Sequence, residues 1–267
     1  MDIAGKTVSA VIPVFNEEKT VARIIEAFLG SDLVSEVVVV NDGSKDRSLA
    51  VLEGFGTRIK LINLKRNHGK GFALAVGTKA ARGEIVVFLD SDLVNFSPDH
   101  VRSLLDPILN QGVEVVLGVH APKGRYPWND LYLTGQRVYW RHLILPHLKR
   151  MAKARSGVEI YLNGLHRKKK IRIVPLVGVI ALAKEAKWSA SLALKQYLVM
   201  GIDIGLELGR KEVISAEDYQ KIKRLAAKPV LKDFELGVRE LKSQRLKQIL
   251  KRYVLRYLEK SHLINRL

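Results

Sequence analysis

Short apolar segments alternate with helix-like segments along residues 1–120. Residues 8–14 form the first apolar segment, and in residues 17–29 the apolar side chains recur at the spacing of one helix face. The pattern continues with predicted strands at 36–40, 59–64, 85–89 and 113–119 and with predicted helices at 48–55 and 72–81. Strands that alternate with helices form a largely parallel sheet covered on both faces. The sequence therefore predicts an α/β fold.

Polar clusters stand directly after three of the predicted strands. They are Asn16-Glu17, Asp42-Gly43-Ser44 and Asp90-Ser91-Asp92. Ligands of open α/β sheets bind at the carboxyl ends of the strands, so we expect these clusters to meet in one site.

Asp90 and Asp92 form a candidate metal site because they flank a single residue after a buried strand. Two neighbouring carboxylates repel each other unless a cation lies beside them. Mg²⁺ binds through one or two carboxylates together with phosphate oxygens, which favours a diphosphate ligand here. The alternative is that one of the two caps the next helix.

The turn Gly69-Lys70-Gly71 offers a closely approachable backbone and one ammonium group to a diphosphate. The chain contains neither a Walker pattern nor a dinucleotide-binding GxGxxG, which argues against ATP hydrolysis and NAD chemistry. It also has no Cys, which excludes a disulfide scaffold, a thiolate zinc site and a Cys nucleophile.

Four segments together resemble family 2 glycosyltransferases of the GT-A fold. They are VIPVFNEEKTV at 11–21, VVVNDGSKD at 38–46, NHGKGFAL at 67–74 and VVFLDSDL at 86–93. The resemblance implies a nucleotide-sugar donor bound by Pro13, Phe15, Glu17, Asp42, Gly43, Lys70, Asp90 and Ser91. It also implies that Asp92 is catalytic and binds the Mg²⁺ or Mn²⁺ cofactor that bridges the diphosphate.

Within that family the chain is similar to glucosyl-3-phosphoglycerate synthases and to polyprenyl (dolichyl) phosphate sugar transferases. The similarity rests on DSDLVNFSP at 90–98, LTGQR at 133–137 and SGVEIYLN at 156–163, and it makes Gly135, Gln136 and Arg137 acceptor-binding residues. The first group has a metal-binding His where this chain has Leu182. Either Asp92, the diphosphate and water suffice, or His166 substitutes, or the metal binds weakly; we interpret His166 itself as a solvated surface residue.

The net charge of +18 is concentrated in the second half of the chain. Residues 1–120 carry 13 Lys and Arg against 15 Asp and Glu, whereas residues 121–267 carry 32 against 12. A neutral hydroxyl acceptor requires a general base, for which Glu159 is our candidate. A phosphate acceptor is already anionic and requires cations instead, so we favour a phosphate-bearing acceptor.

The domain prediction is a GT-A transferase domain at 1–215, with a donor half at 1–120 and an acceptor half at 121–215, followed by a basic helical extension at 216–267. Residues 246–258 form an amphipathic basic helix, and 131–154 are similarly basic. Such elements bind an anionic membrane surface or pack within the protein or a homodimer. We expect neither a leader nor a spanning helix, and a cytoplasmic protein, free or peripheral on the inner face of the cell membrane.

The expected function is metal-dependent transfer of glucose or mannose from a UDP- or GDP-linked sugar to a phosphate-bearing acceptor. Polyprenyl phosphate at a membrane surface is the acceptor that we favour, and a soluble glucosyl-3-phosphoglycerate synthase-like enzyme is the alternative. A catalytically silent nucleotide-sugar-binding protein is a further alternative, because of Leu182. We expect no nucleic-acid partner, since only 7% of the residues are aromatic and no nucleic-acid-binding motif occurs.

Overall fold

The computed structural model describes residues 5–121, 133–166, 169–182, 189–210, 214–227 and 231–251. Its strands are β1 Val8–Val14, β2 Glu36–Asp42, β3 Lys60–Leu64, β4 Ile85–Phe88, β5 Leu93–Val94, β6 Val115–Ala121, β7 Arg137–Trp140, β8 Ile171–Val177 and β9 Ile180–Ala181. Its helices are α1 Val21–Leu29, α2 Ser48–Glu53, α3 Lys70–Ala80, α4 Pro98–Asn110, α5 Arg141–Ile144, α6 Leu148–Ala154, α7 Val158–Asn163, α8 Ala190–Arg210, α9 Ala216–Ala227, α10 Leu231–Glu240 and α11 Gln244–Leu250.

The main sheet has seven strands in the order β3-β2-β1-β4-β7-β6-β8. Six of them are parallel, and β7 is antiparallel to its neighbours β4 and β6. Strands β5 and β9 pair in a small antiparallel sheet of their own. The prediction of a largely parallel α/β fold is confirmed.

The central strands are continuous apolar runs because helices cover them on both faces. All residues of β1 are buried, as are the four consecutive Val of β2. On one face α1 and α4 pack side chains such as Phe28 and Leu105 into the core. On the other face α3 lies directly on the sheet, since a Cβ at Gly77 would overlap the side chain of Val11.

Helix α4 begins where the sequence has its own cap. Ser97 and His100 form a capping box, and Pro98 occupies the first turn. The alternative that Asp90 or Asp92 serves as this cap is therefore unnecessary.

Strand β7 is the main element that the sequence analysis missed. It lies inside the basic stretch 131–154 and is inserted between β4 and β6, with Val87 opposite Val138. A strand of four residues is too short to show an alternating pattern, and its first residue is an Arg. The side chain of Arg137 is nevertheless 1% exposed, so this part of the basic stretch is not a solvated face.

Contacts divide the chain into two compact units. The first comprises residues 1–155 and 161–182 and contains the main sheet, and the second comprises residues 156–160 and 183–267 and contains α8–α11. The expected boundary at residue 215 falls inside the second unit. The assignment of a donor half and an acceptor half remains a prediction.

Only the beginning of the amphipathic segment 246–258 lies among the described residues. Leu246 and Leu250 in α11 are both 1% exposed, so this part of the apolar stripe is buried within the protein. The remainder of the stripe lies outside the described residues. Within the described ranges, no helix combines the length and the apolar character needed to cross a bilayer.

Candidate active site

The loops after β1 and β2 are joined by hydrogen bonds at the carboxyl edge of the sheet. The Asn16 N–H donates to Ser44 Oγ at 3.0 Å, and the Lys45 N–H donates to Asn16 Oδ1 at 2.6 Å. Asn16 has a φ of 58°, a conformation that Asn tolerates better than most residues. The Glu17 N–H donates to Ser48 Oγ at 2.8 Å. The structure thus places Phe15 and Glu17, both half-buried, in a loop that is fixed against the loop following β2.

Pro13 and Ser91 are brought together as the sequence predicts, but through a contact within the protein. The Ser91 hydroxyl donates to the Pro13 carbonyl oxygen at 2.8 Å, and both residues are buried. This bond ties the turn after β4 to β1. Ser91 therefore orients the two aspartates on either side of it, and its contact with a nucleotide sugar remains a prediction.

Asp42 holds the glycine-rich loop in place. Its carboxylate oxygens accept the N–H groups of His68 at 2.8 Å and Gly69 at 2.7 Å. Burial raises the pKa of the Asp42 carboxyl, although these two bonds and the nearby charges of His68 and Arg155 oppose the rise. The family resemblance implies that Asp42 binds the nucleotide sugar, which remains a prediction; in the structure Asp42 is 2% exposed and its carboxylate accepts backbone N–H groups.

Gly43 is required by the same packing. Its φ is +70°, and a Cβ at this position would lie 2.6 Å from Arg66 Cα. A side chain at residue 43 would therefore push the glycine-rich loop away from the end of β2.

Asp90 is shared between the expected donor and acceptor segments. Its carboxylate forms an ion pair with Lys70 and accepts a hydrogen bond from Gln136 Nε2 at 3.1 Å. A Cβ at Gly135 would overlap this carboxylate, which explains the glycine there. The structure thus brings Lys70, Asp90, Gly135 and Gln136 together, as expected of a common site.

The electrostatic environment keeps Asp90 ionised. Burial alone would raise the pKa of the Asp90 carboxyl, but the charge and hydrogen bond of Lys70, with smaller contributions from His120 and Gln136, hold that pKa below its ordinary value of 3.8. Stability that Asp90 provides is therefore complete above pH 3.8 and is lost as the pH falls through the lowered pKa.

We expect Lys70→Met to reverse the direction of this shift. Burial would then be opposed only by His120 and Gln136, so the pKa of Asp90 should rise above 3.8. Carbon-13 NMR of the Asp carboxyl groups during a pH titration measures the change. An Asp90 pKa that stays low in the variant would show that Lys70 is not what keeps it ionised.

Asp92 lies where the two small strands meet. Its carbonyl oxygen accepts the Leu182 N–H at 2.7 Å, next to the pairing of β5 with β9. The residue that replaces the expected metal-binding His thus adjoins Asp92. The described residues contain no cluster of three His, Asp or Glu side chains arranged to hold a metal ion.

Arg137 is a buried cation without a carboxylate partner in the described part of the chain. Its guanidinium donates to the Thr134 carbonyl at 2.6 Å, to Tyr139 Oη at 3.3 Å and to Asn163 Oδ1 at 2.9 Å. Its Nη2 is also buried and makes no hydrogen bond there. A buried charge without an anionic partner is costly, which is typical of a residue that binds an anion.

His166 and Glu159 are both buried, which the sequence analysis did not predict. His166 is not a solvated surface residue: it is 6% exposed, and its Nε2 lies 3.0 Å from Tyr139 Oη. Its role as a substitute metal ligand remains a prediction. Glu159 is 5% exposed and belongs to the second unit, whereas Asp90 and Asp92 belong to the first. A catalytic role for Glu159 remains a prediction.

Arg155 is a residue of this site that the sequence analysis did not identify. Its Nη1 donates to the His68 carbonyl at 3.0 Å, and a Cβ at Gly69 would lie only 3.0 Å from Arg155 Cβ. It has a φ of 48°, which is rare for a residue with a long side chain. The only sequence signal for this contact was the pair Gly69 and Gly71, against which Arg155 packs. We interpreted these glycines as leaving room for a diphosphate.

We expect Arg155→Ala to raise the KM for the donor about tenfold, the effect of losing one or two hydrogen bonds, with a smaller change in kcat. The guanidinium positions the loop that precedes Lys70, so we expect its loss to act mainly on donor binding. Lys149→Ala removes an exposed cation from the neighbouring helix α6 and serves as the control. If both substitutions raise the KM for the donor equally, Arg155 contributes only general surface charge. A KM in Arg155→Lys that lies between those of the wild type and Arg155→Ala would support a positioning role.

Comparison with known proteins agrees with this arrangement. Residues 9–170 match the family model described as Glycosyl transferase family 2. A glucosyl-3-phosphoglycerate synthase of Mycolicibacterium smegmatis is 36% identical over 130 residues, which are 46% of this chain and 41% of that protein. An undecaprenyl-phosphate 4-deoxy-4-formamido-L-arabinose transferase of Pseudomonas aeruginosa is 34% identical over 129 residues, 45% of this chain and 38% of that protein. The matches thus span about two-fifths of the length of these relatives.

A solved structure extends the similarity beyond those segments. The glucosyl-3-phosphoglycerate synthase of Mycobacterium tuberculosis in complex with Mn²⁺, uridine diphosphate and phosphoglyceric acid superimposes with a TM-score of 0.54 and 25% identity, covering 71% of this chain and 78% of that one. The fold around the candidate site is therefore the GT-A fold.

Proposed function

Because this chain belongs to glycosyl transferase family 2, we propose that it transfers a sugar from a nucleoside diphosphate sugar to a phosphate-bearing acceptor. The donor assignment is supported by the convergence of the loops after β1, β2, β3 and β4 at one sheet edge, where they bring Lys70 to Asp90. A relative that binds uridine diphosphate makes a uridine nucleotide the first donor to test.

Arg137 is the observation that carries the acceptor assignment. It is 1% exposed, has a buried nitrogen without a hydrogen-bond partner in the described region, and adjoins Gln136, which contacts Asp90. A planar guanidinium suits a phosphate or carboxylate, because it presents several N–H groups in one plane. An acceptor with a neutral head group would leave this cation uncompensated.

Asp92 is the residue that would hold a divalent ion. Asp90 already forms an ion pair with Lys70 and a hydrogen bond with Gln136, so we assign the ion to Asp92, on the other side of Ser91, together with diphosphate oxygens and water, a ligand set that Mg²⁺ accepts. When bound, such an ion neutralises charge on the departing diphosphate. Lys70 would contribute a second positive charge, and Arg137 and Gln136 would orient the acceptor.

Two kinds of acceptor share the required phosphate. The oxygen of a polyprenyl phosphate is anionic and attacks without a base, whereas the hydroxyl of 3-phosphoglycerate loses a proton that a group such as Glu159 would have to accept. Relatives of both kinds are similar to this chain over nearly the same length. The common element of the proposal is the phosphate group.

The test is a transfer assay on the full chain with UDP-glucose or GDP-mannose and either Mg²⁺ or Mn²⁺. We expect product with 3-phosphoglycerate or with a short-chain polyprenyl phosphate, and none with glycerate or polyprenol. Donor binding in a calorimeter without turnover for any acceptor would favour the silent binding protein. Absence of donor binding would contradict the proposal as a whole.

Leu182→His should tighten Mn²⁺ binding in the presence of UDP by about tenfold, because it adds an imidazole beside Asp92. Isothermal titration with Mn²⁺ measures the affinity. Leu182→Gln, which adds bulk and polarity but a poor metal ligand, is the control. Unchanged affinity in the His variant would place the metal elsewhere than at Asp92.

Membrane association, a homodimer and a cytoplasmic location remain predictions. Flotation with liposomes that contain anionic lipid, comparing the whole chain with a chain that lacks residues 240–267, tests the first of them. Because Leu246 and Leu250 are buried, thermal unfolding of the shortened chain must be measured in parallel.

A further inference from the structure

A cavity lies in the first unit beside the amino-terminal ends of the parallel strands, away from the loops that form the candidate active site. Its volume is about 270 Å³, and its wall includes Val115 and Tyr139. Val115 begins β6, and Tyr139 lies opposite both Val115 and Val86. Arg137, which is opposite Phe88 at the carboxyl end of β4, is two residues and about 7 Å away along β7. The cavity is therefore distinct from the loops around Asp90.

The wall of this cavity is largely apolar but carries a group of polar side chains, and its described part contains no Asp or Glu. Four basic side chains contribute, His142, His147, His166 and Lys169, together with the hydroxyl of Tyr139. The remainder of the wall is apolar, with Leu143, Ile144, Pro146 and Leu165. Donors set in an apolar wall favour an anionic group that carries a small apolar substituent.

The described charges around the cavity sum to a positive value. Lys169 is paired with Glu114 at 2.8 Å, so these two charges largely compensate each other. Arg137 donates to Tyr139 Oη and has no acidic partner in the described region, which leaves one uncompensated positive charge directly behind the cavity wall. An anion would thus be attracted to the cavity, and a cation would be repelled.

The cavity contains imidazoles that are already oriented. His147 Nδ1 lies 2.8 Å from Tyr161 Oη, and His166 Nε2 lies 3.0 Å from Tyr139 Oη. These contacts fix the orientation of both rings before a ligand arrives, which lowers the entropic cost of binding. At about 270 Å³ the cavity is smaller than a typical drug site and has room for a phosphate and a short organic group.

We infer that this cavity is a second ligand site, which binds a phosphate monoester with a small or extended apolar substituent. The ligand is either a free phosphate compound taken from water or the head of a lipid phosphate taken from a membrane. Its phosphate would be held by Lys169 and the imidazoles, and its apolar part by Leu143 and Leu165. The site does not depend on sugar transfer at Asp92.

The ring signals of the His residues report directly on ligand binding in the cavity. In the full chain with nitrogen-15-labelled His, titration with phenyl phosphate or farnesyl phosphate should shift the ring signals of His142, His147 and His166. Signals of His68 and His120 report on the donor side and serve as internal controls. Shifts with phenyl phosphate indicate a soluble ligand, and shifts with farnesyl phosphate alone indicate a lipid; either result supports the site.

Two neighbouring lysines provide the matched variants. Lys169→Gln should weaken phenyl or farnesyl phosphate binding about tenfold, as expected for one charge-assisted hydrogen bond, whereas Lys170→Gln, an exposed residue outside the cavity wall, should not. Equal weakening in both variants, or shifts confined to His68 and His120, would overturn the inference. Because these outcomes are read from binding, they are independent of whether the transfer assay succeeds.

Discussion

Replacing Asp92 by Asn should reduce sugar transfer by about 10³-fold or more while leaving the fold intact. The substitution preserves the shape of the side chain and the bond from the Leu182 N–H to the residue 92 carbonyl, but it removes the negative charge. Loss of a metal that stabilises the departing diphosphate is worth several kcal/mol, and each 1.4 kcal/mol is about tenfold in rate. Transfer rates and thermal unfolding curves of the two proteins check both parts of this expectation.

The control for Asp92→Asn is Asp32→Asn. Asp32 lies on the surface in an ion pair with Arg102, and its loss should alter neither activity nor stability by much. Titration with Mn²⁺ in the presence of UDP should show weaker binding only in the Asp92 variant. Full activity of Asp92→Asn would refute the assignment of the metal to this carboxylate.

Replacing Arg137 by Gln should raise the KM for the phosphate acceptor about 100-fold and leave slow donor hydrolysis nearly unchanged. The guanidinium is the buried cation of the site, and two charge-assisted hydrogen bonds of ordinary strength account for an effect of this size. Arg137→Lys retains the charge without the planar fork and should recover part of the loss. Separate measurement of donor hydrolysis and acceptor transfer distinguishes an acceptor role from a general defect.

Arg172→Gln is the matched control for Arg137→Gln, because it removes the same charge from the exposed end of β8. Arg137 also donates to Thr134, Tyr139 and Asn163, so the variant loses internal bonds as well. Thermal unfolding therefore accompanies the kinetics. If hydrolysis and transfer fall in parallel, Arg137 is a structural residue and the acceptor assignment is wrong.

The sequence was most informative where parallel strands end. Buried parallel strands are continuous apolar runs, so β1, β2 and β4 and the polar turns after them could be identified from residue type alone. Since the carboxyl ends of such strands lie at one edge, the proximity of Lys70 to Asp90 followed from topology. Topology alone did not place Gly135 and Gln136 beside Asp90. Their assignment to the site came only from the family resemblance.

The sequence was less informative where polar groups bind other parts of the protein. Asp42 holds backbone N–H groups of the glycine-rich loop, and His166 is buried against Tyr139; neither contact has a periodic signal. Arg155 reaches the same loop from a position 87 residues away from His68, a distance over which no local pattern extends. Arg137 was expected to bind the acceptor only through the family resemblance, and its burial was not foreseen because its short strand was not recognised.

The sharing of Asp90 limits how this protein could be re-engineered. One carboxylate contacts Lys70 from the donor loop and Gln136 from the acceptor segment, and it fills the space beside Gly135. A segment transplanted from a relative to alter acceptor choice must therefore keep glycine at 135 and a hydrogen-bond donor at 136. On the proposed assignment, a graft that ignores this constraint would disturb donor binding as well as acceptor binding, so we expect changes of selectivity for one substrate to affect the other.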